Sequence, residues 1–164
     1  MGQDELYGNA AAAFGPALRR LARAYAADYE DLLQDIHIAL WRSLATFNGE
    51  CSLKTWVYRV AHNTAISSKL RRRRPRLVSL EELNELPGET DAEERVGQAQ
   101  AIAKLHAMIG ALKPPDDQVM LLYLEDLDAQ SISEVTGLSA GAVATRIHRI
   151  KALLARRFGE GGRP

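Results

Sequence analysis

Apolar positions along most of this chain recur at the three- and four-residue steps of an α-helix, with little of the alternation a strand would show. Phe14, Leu18, Leu21 and Tyr25 mark one face of a helix predicted over Ala10 to Ala27. Leu32, Ile36, Ala39, Leu40 and Leu44 form the buried stripe of a second, from about Tyr29 to Leu44. Thr46 to Glu50 interrupts the pattern, because Asn48-Gly49 favours a turn, and Ser52 suits the N-cap of a third helix that runs on into an arginine cluster. After Pro75 the apolar spacing thins, with only Leu80 to Leu86 fit for a short helix. Ile102, Leu105, Ile109 and Leu112 mark the next helix face, which Pro114-Pro115 ends. Asp116 or Asp117 is placed to cap the helix that carries Val119, Leu122 and Tyr123. The fold expected is all-α, with two small helical domains at 1–74 and 101–164. An acidic linker joins them at 75–100, where Pro75, Pro87-Gly88 and many carboxylates leave little to bury.

The C-terminal domain carries a more specific pattern. A short helix at Ser131 to Val135 is followed by Thr136-Gly137-Leu138-Ser139, in which Gly137 can adopt the left-handed backbone of a tight turn and Ser139 can cap a second helix. On that helix Val143, Ile147, Ile150 and Leu154 fall on one side. Gly141, Thr145, His148, Arg149 and Ala152 fall on the other, with Arg146 on the flank. This is a helix-turn-helix. Its small residues allow close approach to a groove, and its Thr, His and Arg can bond base edges or phosphates.

The net charge of zero hides a segregation that supports this reading. Residues 51–76 hold eight Lys or Arg and no acid, residues 77–98 hold seven acids against Arg95, and residues 135–159 hold five bases and no acid. A polyanion can be gripped at two separated places, with a repelling stretch between them. One such block would pass as a solvated helix face; two acid-free blocks favour nucleic acid. Cys51 is the only cysteine, so no internal disulfide is available and a reducing, cytoplasmic setting is expected. No apolar run approaches a membrane span, and Asp4 and Glu5 stand where a signal peptide carries positive charge, so no membrane insertion is expected. His37, His62, His106 and His148 lie apart, without HExxH, CxxC or a Gly-rich phosphate loop. No catalytic residue, metal site or cofactor is therefore expected.

Tyr29-Glu30-Asp31-Leu32-Leu33-Gln34-Asp35-Ile36-His37-Ile38-Ala39-Leu40-Trp41 resembles the core-polymerase-binding helix of bacterial sigma factors. Phe47-Asn48-Gly49-Glu50-Cys51-Ser52-Leu53-Lys54-Thr55-Trp56-Val57-Tyr58-Arg59-Val60-Ala61-His62-Asn63 resembles the adjoining promoter-melting and −10 region, and Ser139 to Arg149 resembles the −35 recognition helix. Two motifs in order, a short linker and no further domain match the compact extracytoplasmic-function group of the sigma-70 family. The resemblance implies a factor that binds core RNA polymerase and directs initiation by recognising −10 and −35 elements and melting the former. It implies that Asp31, Gln34, Asp35 and Ile38 dock on a coiled coil of the polymerase's largest subunit. An acidic face with an exposed isoleucine suits a basic partner. Phe47, Asn48 and Asn63 would hold a flipped base of the melted non-template strand, with the aromatics Trp41, Phe47, Trp56 and Tyr58 crowded nearby and Trp56 itself read as core. Arg59, His62 and Lys69 would hold phosphates, and Arg71 to Arg74 would add sequence-independent attraction. Gly141, Thr145, Arg146, His148 and Arg149 would read duplex at −35. Ala144 and His148 depart from the family's commoner choices, which bears on the preferred −35 sequence. Many relatives are held inactive by an anti-sigma factor.

Two rival readings use the same residues. One is an autonomous helix-turn-helix repressor that dimerises through its N-terminal domain and binds a palindrome. The other is a sigma-like module that docks on polymerase without melting DNA. The linker favours a scaffolded reader: about 25 residues span roughly 80 Å fully extended but only about 25–30 Å as a coil. Promoter elements two helical turns apart lie roughly 70 Å from each other. The free chain is therefore expected to bind a two-element promoter weakly at physiological salt. Tight binding by the chain alone, measured by fluorescence anisotropy, contradicts this.

Overall fold

The computed structural model describes residues 1–71, 79–85 and 97–159. Eight helices and no strand are found among them. The chain divides into two compact units, one of Met1–Pro75 with Glu134–Gly137 and the other of Arg76–Ser133 with Leu138–Pro164.

The first unit is a three-helix bundle of α1 (Gln3–Tyr25), α2 (Tyr29–Leu44) and α3 (Leu53–Arg71), each packed against the other two. The second helix has the predicted limits, while α1 begins seven residues before the predicted Ala10. Asp4 and Glu5 lie in its first turn, where they complement the helix dipole. Pro16 sits inside α1 and removes one backbone donor; it and Ala12 face solvent, so water can take up the freed carbonyl. Ser52 caps α3 as expected, its Oγ accepting from the Thr55 N–H at 3.1 Å. The core gathers Leu18, Leu21 and Tyr25 from α1, Leu32, Ile36, Leu40 and Leu44 from α2, and Val57, Tyr58, Ala61 and Ala65 from α3. Phe14 meets Tyr58 edge-on, with ring centroids 6.0 Å apart.

The second unit holds α4 (Leu80–Glu85), α5 (Gln98–Gly110), α6 (Asp116–Leu124), the part of α7 (Ala129–Thr136) up to Ser133, and α8 (Ala140–Gly159). Its buried side chains include Ile109, Leu112, Met120, Leu122, Ile132, Val143, Ile150 and Leu153. The buried stripe of α8 thus includes Leu153, which is 7% exposed, while Ile147 and Leu154 are half-buried. Ile102 is 50% exposed, so it does not belong to the core face expected of it. α7 starts at Ala129, two residues before the predicted start, because Asp128 accepts from the Ser131 N–H at 2.8 Å and serves as its cap. Neither Asp116 nor Asp117 is the cap residue of α6, a position held by Pro115. Asp116 pairs instead with Arg146, and Asp117 accepts from the Gln118 N–H. The linker expectation also needs revision. Leu80, at the start of α4, packs against Leu112 and Leu153, so part of 75–100 belongs to the second unit's core. The linker segments 72–78 and 86–96 lie outside the described residues, as do Arg72, Arg73 and Arg74.

His62 is buried among these helices, 1% exposed, and its Nδ1 meets the Tyr25 hydroxyl at 3.4 Å. Burial lowers its pKa from the usual 6.5 to about 3. Above pH 6.5 the imidazole is neutral in both folded and unfolded chains. Below it the unfolded chain takes up a proton that the folded state refuses until about pH 3, so stability falls as the pH falls through that window. Unfolding free energy, followed by urea titration, should drop by about 2 kcal/mol between pH 6.5 and about pH 5 from this residue. The variant His62→Gln, which keeps a polar group toward Tyr25 without titrating, should lose that part of the slope. An unchanged slope contradicts the assignment.

Candidate functional site

The polar side of α2 is built by contrast with its buried side. Leu32, Ile36 and Leu40 are each no more than 1% exposed, which fixes the rotation of the helix and turns Asp31, Gln34, Asp35 and Ile38 outward. Those four residues form one exposed ridge. It continues into Trp41, which is 43% exposed, beside Ile38 at 42%. Reading the sequence grouped Trp41 with the aromatics of the following loop. Its position three residues after Ile38 and seven after Gln34 already places it on the ridge. The indole is not loose: its Nε1–H donates to Asp4 Oδ1 at 2.9 Å, and the Trp41 carbonyl accepts from Gln3 Nε2 at 2.7 Å. His37 is half-buried, and its Nδ1 lies 2.9 Å from the Tyr7 hydroxyl. Burial, and secondarily the charge of Arg19, hold its pKa below the ordinary histidine value.

After α2 the chain makes a short loop. Asn48 Oδ1 accepts from the Glu50 N–H at 3.1 Å, and Gly49 has φ +81°, so the two residues close the turn their types predicted. Asn48, Gly49 and Glu50 are exposed. Phe47 is half-buried, its ring edge-on to Trp56 with centroids 5.3 Å apart. Trp56 in turn donates from Nε1 to Ser43 Oγ at 3.0 Å, which ties α3 to α2 beneath the loop. Cys51 is a half-buried free thiol.

On α3 the expected phosphate-holding row does not form. Asn63 is exposed and Arg59 half-buried, but His62 and Lys69 are 1% and 5% exposed. Thr55, Tyr58, His62, Ala65 and Lys69 follow steps of three and four and make up the buried stripe of this helix. Lys69 Nζ lies 5.3 Å from the centroid of the Tyr25 ring, and His62 meets the same ring edge-on. Both residues therefore belong to the core, with Tyr25 between them. Arg71, one turn beyond Ser67, is exposed and donates from Nε to the Ser67 carbonyl at 3.1 Å.

Before α8 Gly137 has φ +80°, and Ser139 Oγ accepts from the Ala142 N–H at 3.1 Å, so the turn and the cap of α8 both follow the sequence reading. Gly141, Ala144, Thr145, His148 and Arg149 are exposed along α8. Thr145 Oγ1 donates to the Gly141 carbonyl at 3.0 Å. The Arg146 guanidinium is held by Asp116 at 2.7 Å, with side-chain exposures of 33% and 15%, while the more exposed Arg149 lies 4.0 Å from the Glu81 carboxylate of α4. The bond to Asp116 joins α8 to α6, and a phosphate would have to compete for it. Among the described residues no cluster of His, Cys, Asp and Glu could hold a metal ion. No helix among them is long and apolar enough to cross a membrane.

Sigma-70 region 2 matches residues 11–75, and sigma-70 region 4 matches residues 102–154. The RNA polymerase sigma factor CnrH of Cupriavidus metallidurans is 27% identical over 93% of this chain and 86% of its own length. The sigma factor YlaC of Bacillus subtilis is 28% identical over 74% of this chain and 72% of its own length. ECF RNA polymerase sigma factor SigE of Mycolicibacterium smegmatis is 30% identical over 74% of this chain and 48% of its own length. The fold is also that of CnrH in its solved complex with the cytosolic domain of CnrY, with a TM-score of 0.65 at 24% identity, covering 92% of this chain and 85% of that one. Both regions stand in order and together span most of the chain, as expected from the helix ridge and the helix-turn-helix; the chain belongs to the sigma-70 family of RNA polymerase sigma factors, in its extracytoplasmic-function group.

Proposed function

We propose that this chain binds core RNA polymerase through the α2 ridge of Asp31, Gln34, Asp35 and Ile38, extended by Trp41, and that it directs initiation at promoters read at two places. The observation that carries the proposal is the ridge itself. Two carboxylates, an amide, an isoleucine and an indole share one exposed helix face whose opposite side is buried. Exposed apolar side chains ringed by acids are costly to keep for solvation alone and suit a basic, partly apolar partner. The partner that fits is the coiled coil of the polymerase's largest subunit.

In this reading residues 1–74 are the module for polymerase and the −10 element. The exposed Asn48 and Asn63, with the Phe47 and Trp56 rings nearby, receive a base of the melted non-template strand. Both amides offer a donor and an acceptor for a base edge. Arg59 and Arg71 supply positive charge toward the backbone, in place of the row that included His62 and Lys69. Residues 101–164 are the module for the −35 duplex, with Gly141, Thr145, His148 and Arg149 facing the groove and Arg146 bracing α8 against α6. A large scaffold is needed to hold the two modules apart on DNA. A regulatory partner of the anti-sigma kind is part of the proposal, supported by the relative CnrH having been solved with the cytosolic domain of another protein.

Two measurements test this. The double variant Asp31→Lys, Gln34→Lys should weaken binding to core polymerase by at least about 30-fold and abolish transcription from a matching promoter, since reversed charge at a docking face costs about 2 kcal/mol or more. Unchanged assembly and initiation would falsify the docking assignment. For the assembled holoenzyme, the dependence of promoter affinity on salt should lose about 0.7–0.9 from its log–log slope in Arg71→Ala, the amount for one phosphate contact. Lys69→Met should leave that slope alone, and an equal loss there would return Lys69 to the DNA surface.

A further inference from the structure

The docking ridge is held from behind by a part of the chain that the ridge does not include. Three hydrogen bonds run from the first two turns of α1 to the exposed end of α2. Gln3 Nε2 reaches the Trp41 carbonyl at 2.7 Å, Asp4 Oδ1 takes the Trp41 indole N–H at 2.9 Å, and the Tyr7 hydroxyl meets His37 Nδ1 at 2.9 Å. The donors and acceptors on α1 fall at spacings of one and three residues, and His37 and Trp41 are one turn apart on α2, so the two helices meet along matching edges.

Each bond has a physical task. The Trp41 carbonyl is among the last four of α2, which lack the regular helical donor; the Ala45 N–H turns to the Arg42 and Ser43 carbonyls, and Gln3 supplies a donor to Trp41. Asp4 gives the indole a charged acceptor, which makes a stronger and more directional bond than a neutral one. An indole that is 43% exposed and bonded only to water would sample several rotamers. Held by Asp4, it keeps one orientation beside Ile38, and the ordering cost of binding falls because the anchor is already in place.

We propose that Gln3, Asp4 and Tyr7 are positioning residues for the polymerase-docking ridge, fixing Trp41 and His37 before the partner arrives, with Asp4 the principal one. This rests on the reading of the α2 face as the docking surface, and the test separates the two.

The full chain is titrated with core polymerase as wild type and as Asp4→Ala, Asp4→Asn, Trp41→Ala, Asp4→Ala with Trp41→Ala, and Asp31→Lys. In parallel, the emission and acrylamide quenching of Trp41 are followed in a Trp56→Phe background, where Trp41 is the single tryptophan. Asp4→Ala should weaken binding about threefold to tenfold, mostly through faster dissociation, and should make the Trp41 indole more quenchable with an unchanged thermal midpoint. Asp4→Asn, which keeps an acceptor oxygen for the indole, should restore both readouts. Adding Asp4→Ala to Trp41→Ala should have little further effect, since the two act through one contact. The inference is overturned if Asp4→Ala frees the indole yet binds as wild type, if Asp4→Asn restores nothing, or if the two substitutions add in full. Should Asp31→Lys bind normally, the ridge reading itself fails. Should Asp31→Lys be defective while Asp4→Ala binds normally, that reading stands and the positioning role alone is lost.

Discussion

Burial of one aliphatic stripe governs the first unit and what it presents. Leu32, Ile36, Leu40 and Leu44 fill the space between α1 and α3, all but excluded from solvent. Side chains of this kind stabilise by about 1.5–3 kcal/mol each when fully buried, an upper estimate relative to an extended unfolded chain. Four of them are comparable to the whole net stability of a small domain, about 5–15 kcal/mol. A rotation of α2 by one residue would forfeit that burial, so the helix has a single allowed setting. The ridge from Asp31 to Trp41 inherits its direction from this constraint. The same sixteen residues thus fix both what faces inward and what is left outside.

A sigma factor is not an enzyme, and the polar groups of this chain show what replaces catalysis. Bonds among them orient surfaces instead of activating nucleophiles. Asp4 steadies an indole, Asn48 closes a loop, Ser139 starts α8, and Asp116 holds Arg146 between two helices. The burial of His62 likewise serves packing: its imidazole stays neutral against Tyr25.

Much of this was legible in the sequence where a residue type has one physical use. Gly137 and Gly49 adopt positive φ, Ser52 and Ser139 cap their helices, and the Leu32 stripe set both limits of α2. The misplacements share a cause. The charge that His62 and Lys69 can carry suggests a phosphate-holding row, yet their spacing with Thr55, Tyr58 and Ala65 marks the core face of α3. A stripe of mixed polarity gives a weak periodic signal, and the ring of Tyr25 offers the buried lysine a cation–π contact that local spacing does not announce. Trp41 belongs with the loop aromatics by sequence neighbourhood, while its place three residues after Ile38 puts it on the α2 ridge. Arg146 and Asp116 are thirty residues apart, and no local rule anticipates their pairing.

The account depends on the outer face of α2 lying against polymerase, and a photoreactive residue in place of Ile38 tests that directly. With the full chain and core polymerase mixed at low concentration, irradiation should link position 38 to the largest subunit. The same group at Ala12, exposed on α1, should give no such product. Equal crosslinking from both positions, or none from position 38 in an assembled holoenzyme, contradicts the account.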